Sequence, residues 1–429
     1  MRRRGKPGGG RGRRYGAPRP SPGPDGPGRR DGGDPRRPGE GKIDGRGGTT
    51  ACDRSVLPRP YGAGDRGDVR ISDAAGAGGQ LSGRSDRETR PYYEEKRESL
   101  RDLFGASTVT VEANRIVVDG KEYPVLDDVI LLLPPTLWPA AVSARLPPAG
   151  GNDASGGAVK VAIAKDIQFT FGEEWLGFPE ILPEHAEEFR QYFDLVNLGS
   201  LANARICDLG CGIGRWSHFL KDRCREMVLL DFSEAIFVAR ENLREASNAF
   251  FFLGDLRRMP FRDDFADFLF SLGVLHHLPT GALEEVRALS RRAPILLVFL
   301  YYALDNRPAF WRGLLSTVTA VRLALSRTED PRLRSALTWA FTIGVYLPLI
   351  SLGHAARPFG LASKVPLYDF YRGKSLRRIR QDVYDRFFTR IEQRFRKEEI
   401  LALRDTFHEV VVSDDPPYWH FLCRREPIR

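Results

Sequence analysis

Cysteine, methionine and histidine are scarce in this 429-residue chain, and the five cysteines are spaced for no framework. Cys52, Cys207, Cys211, Cys224 and Cys423 are odd in number and scattered, which excludes both a set of paired disulfides and a zinc-finger spacing. Cys207 and Cys211 read as small packing residues, and no metal is expected. No apolar segment near the amino terminus has the form of a signal peptide, so the expected compartment is the cytoplasm. A fourth-position glycine is also lacking. The turn Gly210-Cys-Gly212-Ile-Gly214 is followed by Arg215 where a dinucleotide fingerprint, G-x-G-x-x-G, needs its last glycine, and this disfavours a nicotinamide-type site.

Apolar runs are missing from residues 1–90, which are rich in Gly, Pro and Arg. Such a segment cannot bury enough surface to offset its ordering entropy, so residues 1–95 are expected to be a disordered tail. The first 90 residues hold 21 Lys or Arg against 11 acids, a charge of +10, and the rest of the chain carries −1. The basic balance therefore belongs to the tail, and the near-neutral remainder argues against nucleic acid as substrate. Arg-Gly stretches such as Arg2 to Gly5 and Arg11 to Arg14 suit nonspecific contact with nucleic acid or anionic membrane. A merely solvated tail, or sequence upstream of the true start, are the other readings.

What is present is a series of short apolar runs, each ending in an acid or a glycine. Ile206 and Cys207 lead into Asp208 and the glycine turn, whose N–H groups and following helix would face a ligand. Met227 to Leu230 end in Asp231, 23 residues after Asp208, where an acid at a second strand end would hold a ribose hydroxyl pair. Ala249 to Leu253 lead into Gly254-Asp255-Leu256, and Phe265 to Leu272 end before Gly273 and His276-His277. Four strand ends thus converge on one edge of a parallel sheet.

This stretch resembles the class I S-adenosylmethionine-dependent methyltransferases, over about residues 170–300 and the last forty. Asp208 to Gly214 is similar to their first motif, Asp231-Phe232-Ser233 to the ribose-binding segment, Gly254-Asp255 to the adenine-contacting acid, and Val274-Leu-His-His-Leu-Pro279 to the segment after strand four. The resemblance implies an α/β, Rossmann-like, seven-stranded sheet with helices on both faces and S-adenosyl-L-methionine as cofactor. It implies cofactor contacts at Asp208, Gly210, Gly212, Gly214, Asp231, Phe232, Asp255 and Leu256. His277 is the choice for a general base or substrate-orienting group, because it follows strand four and titrates near neutrality; a capping or wall histidine is the other reading. His276 is the weaker candidate, packed inward.

Around this core the chain divides further. Thr108 to Leu133 alternates apolar and polar residues about Asp119-Gly120, a hairpin signal, so 96–165 reads as a small β-rich module with a linker. It resembles, without the metal-binding cysteines, the zinc-ribbon-like module that precedes some of these enzymes. Phe169 to Leu201 includes an acidic amphipathic helix, Pro183 to Leu195, with Phe171 and Trp175 as pocket-closing aromatics or as packing. Residues 166–300 form the core with a helix at Thr280 to Arg292 and a fifth strand at Pro294 to Leu300. A helix from Lys397 to Phe407 and strands at Glu409 to Val412 and Tyr418 to Arg424 complete it within 392–429.

Residues 301–391 interrupt that sheet at the edge where ligands bind, and are expected to form a helical lid over the substrate. Tyr301 and Tyr302 stand where an acceptor would lie. Asp382 to Arg396 shows a basic face of Arg386, Arg390, Arg394 and Arg396. Ser335 to Ala356 is free of charge for 22 residues, the length of a membrane span, yet carries Thr338, Thr342, Ser351, His354 and Pro348. A true span would put two halves of one sheet on opposite sides of a bilayer, which leaves a buried lid helix pair or a membrane-surface element. The expected activity is methyl transfer to a small, hydrophobic or lipid-like acceptor. Alternatives are a tail-guided enzyme acting on RNA or protein, and a non-catalytic cofactor-binding regulator.

Overall fold

The computed structural model describes residues 91–146, Gln168, Gly172, 175–305, 309–328, 330–389 and 391–425. The tail, the linker and Phe171 lie outside the described residues. One mixed sheet of eleven strands, rather than seven, organises these residues, in the order β1-β2-β3-β4-β7-β6-β5-β8-β9-β11-β10. The strands are β1 Val109–Val111, β2 Arg115–Val118, β3 Lys121–Leu126, β4 Val129–Leu131, β5 Arg205–Leu209, β6 Glu226–Asp231, β7 Ala249–Leu253, β8 Phe268–Leu272, β9 Ile295–Phe299, β10 Glu409–Val412 and β11 His420–Arg424.

Strands β5 to β9 are parallel, and the last, β11, runs antiparallel between β9 and β10. Every residue of β5 is buried, as a strand covered on both faces requires. Alternate residues serve opposite faces. Cys207 and Leu209 join the core that contains α1 Arg97–Phe104, while Ile206 joins the core on the other side. The order runs from β5 to β6 on one side and from β5 to β8 on the other, so the crevice at their carboxyl ends is the switch point where open α/β sheets take ligands.

The amino-terminal hairpins are part of this sheet and not a separate module. Asp119 and Gly120, at φ +45° and +83°, make the two-residue turn between β2 and β3. Strand β4 then pairs in parallel with β7, Val129 opposite Phe251, and carries the sheet four strands past its expected edge.

On the two faces lie α2 Ala140–Arg145, α3 Glu184–Tyr192, α4 Ala235–Asn242 and α5 Ala282–Leu289. The insertion follows β9 and consists of α6 Ala309–Leu325, α7 Pro331–Phe341, a π-helical turn Thr342–Tyr346, α8 Leu347–Ala356, the short α9 Tyr368–Tyr371, and α10 Leu376–Phe388. Helix α11 Lys397–Leu401 ends early in a tighter turn, Ala402–Asp405, before β10. Two expectations are corrected here. The charge-free run is not a helix pair but one continuous helix, Pro331–Phe359, with 22% of its most apolar window buried. The basic face between 382 and 396 does not exist as one surface, because α10 stops at Phe388: Arg386 and Arg394 line the central cavity, Arg396 is exposed, and Arg390 lies outside the described residues.

Candidate active site

The glycine turn after β5 is built for close packing. Gly210, Gly212 and Gly214 all have φ between +53° and +74°, which side chains rarely adopt. A Cβ on Gly210 would lie 2.5 Å from Val274, one on Gly212 3.1 Å from the Trp175 ring, and one on Gly214 3.0 Å from Leu243. The turn is not the anion cradle its composition suggests. The N–H groups of Gly210 and Cys211 donate to the Leu230 carbonyl at 2.7 and 3.2 Å, that of Gly214 to Cys211, and that of Gly212 to Asp231. Of the three glycines only Gly210 lines the cavity.

The acids at the strand ends differ in what they have left to offer. Asp208 is buried under the turn, accepts from Ser217 Oγ at 2.7 Å, and does not line the cavity. Burial pushes its carboxyl up to about 7. Asp231 does line the cavity. Its Oδ2 accepts from Gly212 N at 2.8 Å and its Oδ1 from Ser233 N at 2.8 Å and Ser233 Oγ at 2.7 Å. A carboxylate has about four lone-pair sites, and the Phe232 backbone also bears on Asp231, so a ligand hydroxyl takes the site that the rotating Ser233 hydroxyl can yield. Burial raises the Asp231 carboxyl above the usual range.

Asp255 and Leu256 also face the cavity, but Arg257 holds Asp255 by its N–H at 3.0 Å and by a two-pronged ion pair, at 3.0 and 2.8 Å. An adenine amino group would have to share that carboxylate. Phe232 and Leu256 supply apolar wall, and Gln168 Nε2 fixes the Phe232 carbonyl at 2.9 Å. Trp175 lines the same space and covers Gly212.

These groups open into one cavity of about 1220 Å³ that continues from the strand ends to the insertion. That exceeds the volume of an ordinary single-ligand pocket. His277 forms part of its wall. His277 Nδ1 lies 2.7 Å from the Ile391 carbonyl, which can only accept, so Nδ1 carries the proton and Nε2 of the neutral ring is the basic nitrogen. His276 is fully buried against the Tyr301 ring, centroids 4.0 Å apart, and burial pushes its pKa well below the ordinary value. Tyr301 donates to Asp385 Oδ2 at 2.7 Å; burial and that carboxylate push its phenol well up, so it acts as a donor and not as a base. Tyr302 lines the cavity beside it.

The far end holds a polar cluster that the sequence did not announce. Arg378, Asp382, Asp385 and Arg386 follow one another at i, i+4, i+7 and i+8 on α10 and all face the cavity. Arg378 holds Glu188 of α3 by two hydrogen bonds, 3.0 and 3.1 Å, and pairs with Asp382, which also accepts from Tyr371 at 2.9 Å. Lys374 pairs with the same Glu188. Arg215, the residue in place of the missing glycine, lies over the Trp216 ring at 4.2 Å and lines the cavity close to this group. Among the described residues no three His, Cys, Asp or Glu side chains converge as a metal site.

Residues 206–293, the stretch from β5 to the end of α5, match the family described as a methyltransferase domain. The match is confined to that stretch, about a fifth of the chain. The solved structures similar to the chain include a candidate methyltransferase of Bacillus halodurans C-125, at 18% identity and a TM-score of 0.27, with 32% of this chain and 59% of that one covered. They include phosphoethanolamine N-methyltransferase 1 of Haemonchus contortus, in complex with phosphoethanolamine and S-adenosylhomocysteine, at 18% identity, TM-score 0.29 and 32% of each chain. The YcgJ protein of Bacillus subtilis matches at 20% identity and TM-score 0.27, over 31% of this chain and 58% of that one. The chain therefore spans between about a third and three fifths of these proteins. No curated protein matches the chain. The matched residues include Asp208, Asp231, Asp255 and His277, and exclude the whole insertion.

Proposed function

We propose that the protein transfers the methyl group of S-adenosyl-L-methionine to a small amphipathic, lipid-like acceptor held between the methyltransferase domain and the helical insertion. The observation that carries this reading is the divided lining of this cavity. One wall is the charged stripe of α10, and another is apolar, with Leu315, Val318, Val345, Leu349, Val365 and Phe370. A ligand with a polar head and an apolar body satisfies both walls, whereas a fully polar one would leave the second unfilled.

In this reading Asp231 takes the ribose hydroxyls, and Phe232 and Leu256 enclose the adenine. The cofactor supplies an activated methyl on a good leaving group. The protein's task is to align the acceptor and accept its proton where it has one. His277 lines the cavity with its ring oriented by the Nδ1 contact to Ile391, and is the candidate for the second duty.

Incubation with methyl-labelled cofactor and fractionated cell extract tests the proposal. Label is expected in the lipid-soluble fraction; label confined to RNA, protein or polar metabolites overturns it, as does bound cofactor with no labelled product. His277→Asn separates base from wall, because the Asn amide can keep the donation to Ile391 while losing the basic nitrogen. The expected result is a kcat lower by about a hundredfold with unchanged cofactor affinity. Wild-type turnover in that variant would assign His277 to the wall.

A further inference from the structure

The helix Pro331–Phe359 has its polarity inverted. The positions turned toward the protein are Arg334, Thr338, Thr342, Tyr346, Ile350 and Gly353, all buried and spaced by about four residues. Four of the six are polar, and each has a hydrogen bond within the protein, that of Tyr346 to Arg386. Arg334 donates to the Thr328 carbonyl at 2.7 Å and to Tyr384 Oη at 3.3 Å, Thr338 Oγ1 to the Arg334 carbonyl and Thr342 Oγ1 to that of Thr338, both at 2.7 Å. The apolar residues face outward: Ile343 and Leu352 are each 56% exposed and Phe359 77%, with Leu333, Trp339, Val345 and Leu361 also exposed. A helix on a water-facing surface is amphipathic in the opposite sense.

We infer that this outward face docks on a bilayer containing anionic lipid. Three observations choose that occupant. From Pro331 to Tyr368 the chain has no acidic residue, while Arg332, Arg357 and Lys364 are exposed along it, a charge pattern complementary to anionic headgroups. The helix is 29 residues long with a mean hydropathy of 1.6 in its most apolar window, yet its polar stripe packs along its length on the protein, so it lies in the interface and does not cross it. The face is also continuous with the cavity: Val345 and Phe370 are exposed and line the cavity as well. A lipophilic molecule leaving the bilayer there meets the cavity mouth without crossing water.

Docking can be measured with neither cofactor nor acceptor, so its failure leaves the methyl-transfer reading untouched. The full chain is sedimented with vesicles of phosphatidylcholine and phosphatidylglycerol in 0.5 M NaCl, where attraction by the arginine-rich tail is screened. The expected result is retained binding by the wild type and at least a tenfold loss in Ile343→Asp/Leu352→Asp, with an unchanged circular dichroism melt. Trp339 gives a second readout: brominated lipid is expected to quench wild-type emission more than that of Trp339→Phe. Equal binding by wild type and variant, or no binding by either, overturns the inference. So does self-association without vesicles that the two aspartates abolish, since a second copy of the chain would then be the occupant.

Discussion

Asp231→Ala is expected to reduce cofactor affinity by about a thousandfold, to the limit of calorimetric detection. Two losses combine. The carboxylate that would hold the ribose hydroxyls disappears, and hydrogen bonds to a charged group contribute about 1.5–3 kcal/mol each. The Gly212 N–H, now on Oδ2 at 2.8 Å, is left without its acceptor inside the turn, which costs a further 1–3 kcal/mol or so. Together about 4 kcal/mol or more is removed, and every 1.4 kcal/mol is tenfold. Asp231→Asn serves as the internal comparison. It can keep one acceptor for Gly212 but not the charge, so its affinity should fall between those of wild type and Asp231→Ala. A dissociation constant for Asp231→Ala within twofold of wild type, in a protein that melts normally, would remove Asp231 from the cofactor site.

That prediction rests on a residue readable from the sequence, and the reason it was readable is physical. Parallel strands covered on both faces must be apolar throughout, so Met227 to Leu230 stands out as a run and Asp231 as its end. The same signal placed the fifth strand, Ile295–Phe299, within one residue at each end, while the antiparallel edge strand Glu409–Val412 was legible from its run of β-branched residues before the Asp414-Asp-Pro-Pro417 turn. The Asp119-Gly120 turn was legible because few other pairs accept its backbone angles.

What was hidden depends on partners far away in the chain. Nothing near Val129 says that it pairs with Phe251, so the continuity of β4 with β7 was invisible, and a module was expected where there is sheet. The N–H groups of the glycine turn looked available because the carbonyl that takes two of them, Leu230, is on another strand. Tyr301 was noticed for its ring, but its partner Asp385 lies 84 residues on. Helix Pro331–Phe359 misled for a different reason. Apolar length left a buried helix pair and a membrane-surface element both open, although Arg334, Thr338, Thr342 and Tyr346, four residues apart, already marked a polar stripe suited to packing against protein.

Glu188→Gln carries the second large effect, on stability. Glu188 lies in the acidic helix α3, and its side chain is 3% exposed between Lys374 and Arg378. Burial alone would push its carboxyl up, but the Arg378 guanidinium, followed by Arg215, more than offsets it and holds the pKa at about 2. Neighbouring contacts strengthen the same seam, since Glu184 accepts from Ser375 N at 3.0 Å and Glu180 pairs with Arg377. Glu188 is thus the buried counter-ion between α3 and the start of α10. Neutralising it leaves Lys374 without its carboxylate and Arg378 with Asp382 alone, and removing one partner from a buried pair costs about 3–5 kcal/mol. The expected result is a lower urea midpoint for Glu188→Gln. A double variant, Glu188→Gln/Lys374→Gln, should recover part of the loss because the stranded ammonium is gone.

The pH dependence has a definite sign. A carboxyl depressed from 4.5 in the unfolded chain to about 2 in the folded one gives stability that is fully present above pH 4.5 and is lost as pH falls toward 2. Wild type should therefore lose stability on acidification through that window by on the order of 3 kcal/mol more than Glu188→Gln, which has no group there to titrate. Parallel acid limbs for the two proteins, or a Glu188→Gln midpoint equal to wild type, would show that α10 is held to α3 by apolar packing and not by this charge.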